Sequence, residues 1–334
     1  MAYKVSMDDI KKLRTMTGAG LADVKKALTE AEGDFDKAKE LLRERGLAIA
    51  AKRSDRETSN GCVLVKKVGD FAAMLAVKCE TDFVANGADF IAMVQAILDA
   101  AIAAKAKTID EVKELVLADG QKAQDAVTQR SGITGEKMEL DGYNVLEGAN
   151  IEVYDHMGKH TLCTMVQLSK DNADAGHKVA MQVAAMKPVA LNAESVDQKI
   201  LDEEYKTAVE KTKLEQVEKY VEVVLKKAGI NPNLVDSDDH IESNMAKGWL
   251  TEEQADEARK LKVQAAEEKA KSLNPGMIEN IAKGRVQKFL KENCLVDQEF
   301  QFGDGDKATV SQWLARQDKE LKICDFKRFT LVAE

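Results

Sequence analysis

Twice along this chain, two apolar runs flank a short glycine-containing turn and lead into an amphipathic helix. The first copy places strands at residues 62–68 and 71–79 around Gly69-Asp70, a strong hairpin signal. A helix follows over 88–104, with Phe90, Ile91, Val94, Ile97, Leu98 and Ala101 on one stripe. The second copy has strands at 151–156 and 160–168 around Met157-Gly158-Lys159, and a helix over 173–186. That helix must stop before Pro188, because a residue preceding proline is pushed out of the α region. Each copy is therefore expected to be a small sheet covered by helices on one face, an α+β arrangement. The repeat is one of architecture and not of residues. Between the copies, 109–130 reads as helical.

The flanking segments complete the plan. Ser6 with Asp9 opens a helix burying Ile10 and Leu13, and the turn Thr17-Gly18-Ala19-Gly20 follows. A second helix uses Leu21, Val24 and Leu28, and Asp34 caps a third that Gly46 is expected to end. Three short helices around one core resemble a ubiquitin-associated-type domain. Residues 50–60 are polar and unpatterned, which predicts a linker. From Val196 to Lys227, and again from Thr251 to about Ser272, charged helices flank the breaker Gly229-Ile230-Asn231-Pro232. Two such helices predict an inserted antiparallel helical hairpin. After Pro275 the chain is expected to return to the body with a helix, a strand near 298–302, a short helix around Trp313 and a last strand near 321–332. The expected domains are thus 1–50, a linker at 51–60, a first core subdomain at 61–140, a second at 141–199 with 276–334, and the insertion at 200–275.

Composition narrows the function classes. With 44% hydrophobic and 32% charged residues in 334, the chain can bury sizeable cores. The net charge of −9, with Lys and Arg spread among Glu and Asp, argues against direct nucleic-acid binding. Five scattered cysteines without CxxC spacing point to a reducing compartment with neither disulfides nor a zinc site. No run approaches the roughly 20 apolar residues of a membrane span, and the start lacks a signal pattern, which predicts a cytoplasmic protein with no membrane partner.

No catalytic constellation, cofactor motif or metal motif emerges, so the chain does not read as an enzyme. The four histidines offer no HExxH spacing. His156 and His160 bracket the second turn, where solvated hairpin histidines outweigh metal ligands for want of carboxylate partners. Cys79 beside Glu80 reads as a structural thiol, since a nucleophile needs an adjacent base. Gly18-Ala19-Gly20 is too short for a phosphate loop.

The most informative stretch is Cys79-Glu80-Thr81-Asp82-Phe83-Val84-Ala85-Asn86, between the first hairpin and its helix. By residue type alone Asp82 is a capping carboxylate and Phe83 a core ring; the alternative is an exposed aromatic wedge. Four segments then share a resemblance. Thr17 to Leu28 with Gly33-Asp34, Cys79 to Asn86, Met181 to Pro188, and Gly284-Arg285 with Lys288-Phe289 resemble, in order, the translation elongation factor Ts family. That resemblance implies a guanine-nucleotide exchange factor whose partner is elongation factor Tu, GDP-bound and nucleotide-free. It implies that Thr81, Asp82, Phe83 and Val84 act beside the partner's Mg²⁺. It also implies that Gly18 and Gly20 lie on the partner's GTPase domain, and that the tip Tyr154-Asp155-His156 reaches another domain through His156. The second copy carries Ser169-Lys170-Asp171-Asn172 at the corresponding junction, without an aromatic. The 200–275 insertion reads as longer than the family pattern, and homodimer formation is left open. The rival reading is a cytosolic adaptor using the N-terminal unit and the helical hairpin as docking modules.

Overall fold

A computed structural model describes residues 4–17, 19–53 and 55–331. Long-range packing divides the chain into two compact units, one made of 1–191 with 298–334, the other of 192–297.

The first unit begins with α1 (Met7–Thr17), α2 (Leu21–Glu30) and α3 (Phe35–Ala51). Ile10, Leu13, Val24, Leu28, Ala38 and Leu42 form their shared core. Ser6 accepts from the Asp9 N–H at 3.0 Å, which is the predicted cap of α1. Gly46 does not end α3. It lies within the helix because α3 packs on α7 (Ala123–Thr134), where Gly46 and Gly132 face each other and a Cβ on Gly132 would overlap the Gly46 backbone.

Strands β1 (Asn60–Val68) and β2 (Phe71–Cys79) form the expected hairpin, and β3 (Met138–Glu147) adds a third strand beside β2. The second sheet joins β4 (Ile151–Asp155), β5 (Leu162–Leu168) and β6 (Ile323–Thr330) in that order. Helix α5 (Ala88–Ala104) covers one face of the first sheet through Phe90, Val94, Ile97 and Leu98. The other face is not open. Val63, Ala72, Met74 and Ala76 pack against Ile151, Cys163 and Met165 of the second sheet. Burial on both faces explains why β2 (FAAMLAVKC) is a continuous apolar run and not an alternating one. Gly142 in β3 matters here, because the space a Cβ would occupy holds the Phe329 ring of β6.

Helix α8 (Ala173–Met186) covers the second sheet, and the Thr164 hydroxyl donates to Ala180 O at 2.9 Å across that contact. The expected 109–130 helix is broken into α6 (Ile109–Glu114) and α7 by a turn closed through the Val116–Lys122 bridge. The strand expected near 298–302 reduces to one bridge, Glu299 to Thr309. Backbone bonds run from the Phe300 N–H to Ala308 O and from the Val310 N–H to Gln298 O, while the buried Gln182 amide donates to Glu299 O at 3.1 Å and accepts from the Gln301 N–H at 3.0 Å, so a side chain takes the groups a longer ladder would need. Helix α13 (Val310–Gln317) then buries Trp313 and Leu314.

The second unit contains α9 (Gln198–Lys227), α10 (Asp238–Ala246), α11 (Glu252–Lys271) and α12 (Pro275–Asn293). Helix α9 has 30 residues and so spans about 45 Å at 1.5 Å per residue. Helices α11 and α12 both pack along it. The sequence assigns α12 to the second core subdomain; in the structure it groups with α9 and α11. At the far end, Leu225, Ile230, Val235, Ile241 and Leu250 close a small core around the connection that the sequence marks only by the breaker Gly229-Ile230-Asn231-Pro232. Among the described residues no helix is long and apolar enough to cross a membrane.

Candidate partner-binding site

At the end of β2 the chain turns through Thr81 into α4 (Asp82–Ala85), a helix of only four residues. The cap is Thr81 and not Asp82. Its backbone is extended and its side-chain oxygen accepts from the Val84 N–H at 3.3 Å. Asp82 occupies the first helical position, where a carboxylate faces the positive end of the helix. The Asn86 side chain donates to Asp82 O at 2.8 Å and closes the turn.

One turn of helix presents its faces in fixed order. Ala85 is buried and Val84 packs against the core of the first sheet, which leaves Asp82 and Phe83 outward. Phe83 is 85% exposed, more than any other large apolar side chain among the described residues. The core assignment that residue type favours for this ring is therefore overturned. Residues 84 and 85 take the buried positions, and the helical period leaves none for the ring.

Two carboxylates anchor this junction, and sequence reasoning missed both roles. Glu80 accepts from the Lys137 N–H at 2.6 Å, from Arg56 at 2.9 Å and from Arg53 at 3.3 Å. The Lys137 N–H, followed by the two guanidinium groups, holds the Glu80 carboxyl below its usual value against the opposing effect of partial burial. Glu136 accepts from both the Thr81 hydroxyl, at 2.6 Å, and the Thr81 N–H, at 3.1 Å. These partners come from the segment after α3 and from the α7–β3 connection. The stretch that reads as a linker thus ties down the base of α4. Only the missing patterning of 51–60, with its run of charge, hinted at it.

Cys79 cannot serve as a nucleophile here. Its thiol is fully buried, donates to Thr81 O at 3.3 Å, and is pushed up to about 12 chiefly by desolvation.

The other predicted contacts lie elsewhere on this unit. Gly20 caps α2 with extended backbone, and an added Cβ would meet Asp23 at 3.3 Å. Gly18 lies outside the described residues. His156 stands at the β4–β5 turn, its Nδ1 3.1 Å from the Tyr154 hydroxyl, with that ring also edge-on to His177. Beside it Met157 is 71% exposed, at positive φ. His160 does have a carboxylate partner, contrary to the sequence reading: its Nδ1 lies 2.5 Å from Asp155 Oδ2. Among the described residues no group of three or more His, Cys, Asp or Glu side chains could hold a metal ion.

Comparison with known proteins agrees with the order of motifs. The family model for elongation factor Ts matches residues 80–333. The elongation factor Ts of Phocaeicola vulgatus is 58% identical over 330 residues, 99% of each chain. That of Parabacteroides distasonis is 57% identical over the same share. That of Porphyromonas gingivalis is 40% identical over 331 residues, again 99% of each chain. Similarity of this extent, running through the capped aromatic turn, makes the chain a member of the elongation factor Ts family.

Proposed function

We propose that the protein is a guanine-nucleotide exchange factor that binds elongation factor Tu and promotes GDP release during translation elongation. One observation carries this reading: the 85% exposed Phe83 on a short helix whose start two carboxylates anchor. A solvated phenyl ring gains nothing in the free protein, whereas a partner's pocket that covers it recovers a large apolar area. Asp82 beside it brings a negative charge to the same place.

In the proposed complex the ring enters near the nucleotide-bound Mg²⁺ of the partner and displaces side chains there. Mg²⁺ demands near-ideal octahedral oxygens at about 2.1 Å, so a small shift of its surroundings weakens it. The Asp82 carboxylate alters the charge and hydrogen bonding around the same site. Thr81 and Val84 hold the turn that presents both groups. Gly18 and Gly20 lie on a second contact, with the partner's GTPase domain, and His156 on a third, with another of its domains.

Linkage supplies the test. A factor that weakens GDP binding must itself be bound more weakly, in the same ratio, by the GDP-bound partner. Titration calorimetry should show high affinity for nucleotide-free elongation factor Tu, falling when GDP and Mg²⁺ are added together. Equal affinity for both forms leaves no coupling energy to drive release and rules the mechanism out.

A further inference from the structure

We propose that Glu136 is the positioning residue of the wedge, the group that sets the direction in which Phe83 leaves the surface. The functional half of this inference rests on the exchange-factor reading above; the geometric half does not.

Helix α4 has four residues and closes one turn. A single turn has no stability of its own, since nucleation fixes several dihedrals for one hydrogen bond. Its direction is therefore imposed by what holds its start. That start is Thr81, whose carbonyl accepts from the Ala85 N–H at 3.1 Å and whose hydroxyl oxygen accepts from the Val84 N–H at 3.3 Å. A hydroxyl has one proton and two lone pairs and can rotate. Glu136 removes that freedom. Its Oε1 accepts from the Thr81 hydroxyl at 2.6 Å, which leaves the hydroxyl lone pairs for Val84. Its Oε2 takes the Thr81 backbone N–H at 3.1 Å, which fixes the peptide plane as well. One carboxylate thus holds both the side chain and the backbone of the cap, through charge-assisted bonds.

Glu136 is itself well placed to act as a fixed point. It follows Gly135, which ends α7 at φ 71, and its N–H donates to the Thr134 hydroxyl at 3.3 Å. The Ser131 hydroxyl donates to its carbonyl at 2.5 Å. The next residue, Lys137, donates its N–H to Glu80 at 2.6 Å. Segments 79–81 and 135–137 therefore clasp each other, each supplying a carboxylate to a backbone N–H of the other. Behind the turn, Ala85 is buried and Val84 rests on the core, so movement of the cap would be passed to the outward Asp82 and Phe83.

The experiment reads the cap and the activity separately, in the full chain. Hydrogen exchange of the Val84 amide, followed by NMR, should speed up about tenfold in Glu136→Ala, the equivalent of losing the one Thr81–Val84 bond that the carboxylate holds in place. Stimulated GDP release from elongation factor Tu should fall by a similar factor. Glu136→Gln, which keeps one acceptor oxygen, should lie between the two. Combining Glu136→Ala with Phe83→Ala should add nothing to the loss caused by Phe83→Ala alone, a result that general damage to the fold would not give. An unchanged Val84 amide in Glu136→Ala, or a further tenfold loss in the double variant, overturns the proposal. Should Glu136→Ala not fold, Glu136→Gln decides in its place, and an unchanged Val84 amide with unchanged release in that variant overturns the proposal. Should the unaltered chain fail to accelerate release, the exchange-factor reading falls and the Val84 amide alone decides the role of Glu136.

Discussion

Phe83→Ala separates a wedge from a core residue more sharply than any other substitution. The ring is 85% exposed. Roughly a seventh of its area, about 30 Å² of some 200 Å², is then withdrawn from water in the free protein. At about 25 cal/mol per Å² that burial contributes about 0.7 kcal/mol, so the melting temperature should drop by about 2 °C at most. A buried ring gives the contrast. Phe90 is 2% exposed, and its removal should cost about 3–5 kcal/mol. Covered by a partner, the Phe83 ring behaves as an interface anchor, and its truncation should cost about 2–4 kcal/mol, or roughly 30- to several-hundred-fold in acceleration at limiting factor concentration. Release of a fluorescent GDP analogue from elongation factor Tu, followed by stopped flow, measures that loss, while calorimetric scanning reports the melting temperature. A variant that melts normally and still accelerates release normally would refute the wedge. One that melts like Phe90→Ala would refute the exposure on which the argument depends.

Other expectations follow from the packing and the titrating groups. Gly132→Ala should lower stability by about 1–3 kcal/mol, because the new Cβ pushes on the Gly46 backbone and parts α3 from α7; an unchanged melting curve counts against that crossing. Native alkylation should modify exposed Cys324 first, and Cys79 only after denaturation. The Cys79 thiol is raised in the folded state from 9.0 to about 12. Its contribution to stability is thus complete below pH 9 and is lost as pH climbs towards 12, because the unfolded thiol ionises first. Cys79→Ala should flatten that alkaline loss, and a chain equally sensitive with and without Cys79 contradicts the assignment.

Much of this protein is written in local pattern. The α5 stripe and the α8 stop before Pro188 follow from side-chain period and backbone sterics, and the structure places both helices over the expected residues. The β1–β2 hairpin follows from Gly69-Asp70, with Gly69 at φ 60. The order of motifs was likewise enough to indicate the family. Partners far apart in sequence were not legible. Strand β3 (MELDGYNVLE) carries Asp141, Gly142 and Asn144 and reads poorly as a strand, yet it pairs with β2 along its length, and its Gly142 leaves the room that the Phe329 ring of β6 fills. Gly46 looks like a helix stop until α7 is seen packed against α3 there, with Gly132 the residue that must stay bare. Phe83 looks like a core residue until Val84 and Ala85 are seen to take the buried positions of α4. Glu136 lies 55 positions from Thr81, and no periodicity links them. Period and turn chemistry act between neighbours in the chain, so the sequence reports them directly. Which face of a short helix is buried, and which carboxylate reaches its cap, depend on long-range contacts that exist only once the sheets have packed.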